Sequence, residues 1–269
     1  MMRQAWLIIA HNEFGLLQRL ISMLDADGSD FYVHIDRKVP QPPSPEVAKG
    51  RLFMLSEKVD VRWGSVSQIE AELLLLETAR ANGPYAHYHI ISGTHLPLVG
   101  VEELTAFYDS HHDEEIVRMW ADDPGDADFK LRRRHFPLGH FKYGSPLQRK
   151  LCQKTWSAVL RVQRMLGLRH NKDCRFYKTD NWLSLSEKAC AYLVGHKKGI
   201  LKKYRYSFCG DEYFAVSELM TQGEAFKIYD CKNLLHVEFM GDTPRTFRLQ
   251  DYNELQKTGC LWARKFTGQ

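Results

Sequence analysis

The chain has 269 residues, of which 44% are hydrophobic and 26% charged, with a formal net charge of +4. That is the make-up of a soluble globular protein large enough for one α/β domain or two tightly joined halves. It excludes a spanning chain, because no stretch approaches ~18 apolar residues without charge. The mild basic excess fits any anionic partner equally well. Six cysteines are scattered with no C-x-x-C pair, which argues against zinc and, without an export signal, for free thiols.

In chain order, the opening residues hold an apolar run too short for a signal peptide, and 5–10 read as a buried strand. Asn12 is placed to cap a helix carrying Leu16, Leu17, Leu20, Ile21 and Leu24 at helical spacing. Asp27-Gly28 turns the chain into a second strand, 31–35, ending at Asp36. Four prolines within 40–45 mark a loop, and 52–55 and 59–63 read as short strands. A strong helix over 67–80 stops at Gly83-Pro84, and a strand over 87–91 leads into the loop at 92–97. This alternation predicts a largely parallel sheet covered by helices. Residues 122–150 read as a polar, irregular excursion. Regular structure then resumes with a helix over 151–166, a strand near 182–185, a helix after the capping Ser186, and helices at 211–220 and 251–255. The expected organisation is a single domain over 1–269: a nucleotide-binding half (1–121), the excursion (122–150) and an acceptor and catalytic half (151–269).

Ligands of parallel sheets bind beyond the carboxyl ends of the strands. His11, Asp36 and the 92–95 loop fall there. Asp36 suits a uracil or ribose group, or else simply caps a turn. P-loop, dinucleotide, serine-hydrolase and zinc-protease signatures are missing. Asp-x-Asp occurs at Asp25/Asp27, on the wrong edge of the sheet, and at Asp126/Asp128, in the excursion. Both pairs read as surface loop. Asp211-Glu212 follows Gly210 among Phe208, Tyr213 and Phe214, so one carboxylate can face a cleft as a general base while the other faces a helix start. Arg245, Arg264 and Lys265 supply cations near the end of the chain, able to neutralise a leaving diphosphate in place of a metal.

These segments fall in a familiar order: Ala5-Trp6-Leu7-Ile8-Ile9-Ala10-His11-Asn12, Tyr32-Val33-His34-Ile35-Asp36-Arg37-Lys38, Trp63-Gly64-Ser65 leading into Ala71-Glu72-Leu73, and Ile91-Ser92-Gly93-Thr94-His95-Leu96-Pro97-Leu98. Trp182-Leu183-Ser184-Leu185-Ser186, Gly210-Asp211-Glu212-Tyr213-Phe214, Thr243-Pro244-Arg245-Thr246-Phe247 and Ala263-Arg264-Lys265-Phe266 complete the series. The chain resembles the core-2/I-branching β-1,6-N-acetylglucosaminyltransferase family, glycosyltransferase family 14, which includes peptide xylosyltransferases. The resemblance spans nearly the whole chain. It implies a glycosyltransferase-A type α/β fold, a mostly parallel central sheet with helices on both faces, working without a metal or other cofactor.

By that resemblance Glu212 is the general base of an inverting transfer from a UDP-sugar, GlcNAc or xylose, to a glycan hydroxyl in cell-surface glycan or polysaccharide synthesis. His11, Asp36, Arg245 (or its neighbour Arg248) and Lys265 would bind the donor. Glu103, Asp211 and Phe239 would bind the acceptor, Phe239 standing where the branching enzymes have a stacking Trp. The anchor and stem of the animal members are missing, so the expectation is a bacterial-type cytoplasmic enzyme, with peripheral contact at the inner membrane face left open. The rival reading is a non-catalytic carbohydrate-binding or assembly subunit of the same fold. A nucleic-acid partner, suggested only by Arg132-Arg133-Arg134 and the basic tail, lacks any accompanying motif.

Overall fold

The computed structural model describes residues 2–241 and 243–268. The first half runs β1 (Gln4–Ala10), α1 (Phe14–Leu24), β2 (Ser29–Ile35), β3 (Arg51–Met54), α2 (Ser67–Arg80), β4 (His87–Ser92), β5 (Leu96–Pro97), α3 (Val101–Ser110) and β6 (Glu114–Val117). Next come α4 (Pro124–Leu131), α5 (Pro146–Met165), β7 (Leu183–Ser186), α6 (Glu187–Gly195), α7 (Lys197–Tyr204), α8 (Phe214–Met220) and β8 (Lys227–Asp230). The chain ends with β9 (Leu235–His236), β10 (Phe239–Met240), β11 (Thr243–Pro244), α9 (Tyr252–Gln256) and β12 (Trp262–Ala263).

Seven strands form the central sheet in the order β3-β2-β1-β4-β7-β6-β8. Only β7 runs against its neighbours. β1 and β2 are buried along their whole length, with apolar runs at 5–10 and 31–33, because helices cover both faces. Their side chains alternate between two cores: Ala5, Leu7 and Ile9 pack with α2, α6 and α8, while Trp6, Ile8 and Ala10 pack with α1, α3 and the C-terminal segments. Each core draws on residues from both ends of the chain. The leucines of α2 (Leu73, Leu75 and Leu76) are fully buried, each worth roughly 2 kcal/mol of apolar burial.

Several local expectations need correction. Asn12 does not cap α1. The residue before the helix is Glu13, in the left-handed region (φ 53°), with no side-chain cap. Its carboxylate instead accepts from Thr267 Oγ1 (3.0 Å) and Gly268 N (2.9 Å), tying the C-terminal tail to the sheet edge. Residues 59–63 form no strand, because they cross the end of β2: Val59 N donates to His34 Nε2 and Arg37 N donates to Val59 O. The segment 122–150 is irregular only at 122–123 and over 132–145. It contains α4, capped by Asp123 through Gly125 N and Asp126 N, and the start of α5, whose capping box is built by Ser145 and Gln148. Only Ala127 and Leu131 of α4 are buried, so apolar periodicity could not reveal it. The helix expected over 211–220 breaks at Tyr213 into a tight turn (Gly210–Glu212) followed by α8.

Candidate active site at the carboxyl edge of the sheet

The ends of β1, β2, β4 and β6 open on one edge, where antiparallel β7 begins, so the residues at 11, 36, 92, 118 and 179–182 converge there. The 208–212 turn is docked onto the same edge. Thr179 N donates to Glu212 O (2.9 Å), and Cys209, itself left-handed (φ 49°), donates to Gly64 O (2.9 Å). Gly64 has φ 75°, and a Cβ there would come within 2.8 Å of the Phe208 ring, so only glycine lets the two turns nest.

Glu212 has a side chain one-third exposed, and its Oε2 takes the Lys130 ammonium at 2.7 Å, with Lys178 at 3.9 Å. Among the described residues Glu212 Oε1 accepts no hydrogen bond. Lys130 and Lys178 also reach Asp126 Oδ2 (3.2 and 2.7 Å), which accepts from Tyr213 Oη at 2.5 Å. Burial alone would lower the pKa of Lys130, but Glu212 and then Asp126 outweigh it and hold it above the usual lysine value. Burial likewise opposes ionisation of Asp126, yet the Lys178 and Tyr213 hydrogen bonds prevail and keep its pKa low. Two carboxylates and two ammoniums thus form one neutral cluster. Asp126, read as surface loop from its polar surroundings, belongs to this cluster. Asp128 points elsewhere, to Arg133 and Arg169. Asp25 lies apart, accepting from the backbone at 48–50.

Behind Glu212 two more acids are enclosed. Asp211 has one oxygen sealed without a partner, and burial first, then the Glu212 charge, push its pKa up to about 7. Glu72 of α2 is 1% exposed and accepts from Gln68 Nε2 (2.8 Å); burial and then Asp211 push it well above the ordinary carboxylate range. Glu72 lies in a segment that carries the family resemblance, yet the spacing of α2 marks it only as one more helical position.

On the donor side the structure brings three of the four expected residues together. His11 is held below its usual pKa by the crowding of its ring and then by the Lys265 charge, with Asp36 opposing. Asp36 is buried and also caps a turn: Lys38 N and Lys38 Nζ donate to it at 2.8 and 2.7 Å, and Lys38 continues to Asp60 (2.9 Å). Lys265 sits on a tail stitched over the edge by Phe247 N to Lys265 O (2.7 Å) and Phe266 N to Thr94 O (3.0 Å). Arg245 lies on the adjoining segment, but its exposed guanidinium pairs with Glu238 at 2.6 Å. Arg248 is exposed, with its backbone bound to Asp251. Arg264, beside Lys265, turns inward. Its guanidinium lies 4.8 Å from the Trp182 ring with Nε unpartnered, and burial lowers its pKa to about 10 against the pull of Asp180.

On the acceptor side Phe239 is half exposed and faces Trp120, with ring centroids 6.2 Å apart. Trp120 donates to Asp180 Oδ1 (2.9 Å), and Arg118 forks onto both oxygens of Asp180 (2.5 and 3.0 Å). Trp120, 42% exposed three residues past β6, is the residue that sequence reasoning missed here, since nothing near it in the chain announces its exposure. Glu103 does not join: it is exposed on α3, on the sheet face opposite to α8.

A family model described as "Branch: Core-2/I-Branching enzyme" matches residues 4–255. A search of curated proteins gave no match. Solved structures that match include apo mouse xyloside xylosyltransferase 1, with 8% identity, a TM-score of 0.41 and coverage of 97% of this chain and 96% of that one. The family match over nearly the whole chain gives the class: a glycosyltransferase, here a mixed α/β enzyme, whose partners are a nucleotide sugar and a glycan acceptor. The chain belongs to the Core-2/I-Branching enzyme family. No described helix is long and apolar enough to cross a membrane.

Proposed function

We propose that this protein moves a sugar, GlcNAc or xylose, from a UDP donor to an acceptor hydroxyl with inversion, in the synthesis of cell-surface glycan or polysaccharide. Glu212 acts as the base. The observation that carries this reading is its half-open carboxylate at the carboxyl edge, one oxygen clamped by Lys130 and the other free. The clamp fixes the group in one orientation. Oε1 then takes the proton of the acceptor hydroxyl while the oxygen bonds to the anomeric carbon and the bond to the β-phosphate oxygen breaks. The electron pair leaves on UDP, whose charge Lys265 neutralises, joined by Arg245 once it exchanges Glu238 for phosphate. His11 and Asp36 hold the nucleoside, and Trp120 with Phe239 offers an apolar face to an acceptor ring.

The two acids of Asp126-x-Asp128 diverge onto different cations, which supports transfer without a divalent ion. UDP release with candidate donors and acceptors tests the reading. Glu212→Gln is expected to lose about a hundredfold or more in kcat while still binding donor; turnover at the wild-type rate refutes it. Activity is expected to survive excess EDTA. Loss restored by Mn²⁺ overturns the metal-free assignment.

A further inference from the structure

Residues 129–172 contain 12 Lys and Arg and no Asp or Glu, leaving 25 basic against 33 acidic residues elsewhere. At the centre of this stretch, α5 has little of itself buried. Cys152 and Gln163 are enclosed, and Trp156, half-buried, packs on Phe141, Phe129 and Phe208. These positions recur at helical spacing and define the inner stripe. The outer side carries two further stripes. Leu147, Leu151, Val162, Met165 and Leu166 project into solvent, from 52% to 79% exposed, on one flank. Lys150, Lys154, Arg161 and Arg164 occupy the other. Leu168, Arg169 and Lys172 continue the same character past the helix end. There Arg132, Arg133, Arg164, Arg169 and Lys172 line a concavity of about 510 Å³.

Exposed large apolar side chains on a soluble surface mark an interaction site. Here they lie beside a flank of cations in a stretch that itself carries no acid. Asp128, just ahead of the stretch, pairs with Arg133 and Arg169 at the concavity and leaves the other cations there unopposed by any residue of the stretch. A second copy docking through the same face would bring a stretch of 12 cations against another 12, a repulsion that no carboxylate in the stretch relieves. Phosphate backbones would use the cations but leave the leucines in water. An anionic bilayer satisfies both: lipid phosphates meet the Lys/Arg flank while the apolar flank enters the acyl boundary.

We propose that α5 is an interfacial helix that lays the protein on an anionic lipid surface, with the arginine-lined concavity at its end receiving a lipid phosphate. Its inner stripe reaches Phe208 through Trp156, so the bound membrane lies beside the turn that carries Glu212.

Co-sedimentation with vesicles tests this, using phosphatidylcholine alone and an equal mixture with phosphatidylglycerol. Wild type is expected to pellet with the mixture and not with phosphatidylcholine. Leu151→Ser/Val162→Ser/Met165→Ser is expected to lower the partition coefficient about tenfold or more. Arg161→Glu/Arg164→Glu is expected to lower it about a hundredfold. All five positions are exposed, so an unchanged thermal melt verifies the fold. Failure of wild type to bind the mixture overturns the proposal. So does a serine triple variant that binds like wild type, because adsorption then needs only charge. So does a concentration-dependent dimer that the triple variant dissolves without any vesicle binding.

Discussion

Replacing Asp211 by asparagine tests how the interior of the site is built. In the folded chain its carboxyl is held up to about 7, against an ordinary 3.8, by burial and then by the Glu212 charge. A raised carboxylate pKa stabilises the fold fully below the ordinary value, and that contribution is lost as pH rises through the folded value. Between pH 5 and pH 8, linkage with these two values removes on the order of a few kcal/mol of wild-type stability. Asparagine keeps the shape and cannot ionise, so the loss disappears. Glu72, released from a charged neighbour, adds to the change in the same direction. Buried neutral histidines such as His89 and His95 push the other way, destabilising the fold as pH falls, and they act equally in both proteins. The readout is therefore the difference between wild type and variant in urea unfolding free energy, measured at pH 5 and pH 8. Asp211→Asn should gain a few kcal/mol relative to wild type over that interval. A difference that does not change with pH refutes the buried-acid reasoning.

Lys130→Met leaves Asp126 and Glu212 facing each other with one cation between them, so it should cost about 3 kcal/mol in urea unfolding at pH 7. Restoring charge with Lys130→Arg should recover part of that. Gly64→Ala pushes a methyl group into the Phe208 ring at a positive φ, and should lower stability by roughly 2 kcal/mol and depress kcat by shifting the 208–212 turn; an unchanged melt contradicts the nested-turn account. Trp120→Ala and Phe239→Ala should each raise the acceptor KM about tenfold or more while leaving the donor KM and the melting temperature in place. Equal rises in both KM values would remove the aromatic pair from the acceptor side.

What could be read in advance follows from the range of the interactions. The parallel sheet was legible because β1 is an apolar run and β2 and β4 are short stretches rich in aromatic and β-branched residues, and α2 because its leucine run and its stop at Gly83-Pro84 are local. The strand expected at 59–63 failed because the backbone of Val59 is taken by the His34 side chain of β2 and by Arg37 N just past that strand. His11, Asp36 and Glu212 could be found because each stands at a strand end or a glycine turn, which nearby residues announce. Lys130 and Asp126 could not. They sit in a segment whose composition is that of a loop, and they acquire meaning only by reaching Glu212 across 82 positions of chain.

That asymmetry has a physical consequence for the site. Glu212 is brought to the edge by backbone geometry, the left-handed turn at Cys209 and its hydrogen bond to Gly64 O. Its ion pairs come from side chains elsewhere in the chain, Lys130 on α4 and Lys178 before β7. α4 has only two buried residues, so its position depends largely on the cap at Asp123 and on the same ion pairs it makes with the site. Screening those pairs with salt should therefore loosen α4 and the carboxylate it clamps together, while the sheet, held by apolar burial, stays intact. Amide exchange in 124–131 that rises with ionic strength, against unchanged exchange in β1 and β4, is the expected pattern. Uniform protection at all salt concentrations would mean that Ala127 and Leu131 anchor α4 without help from the charges.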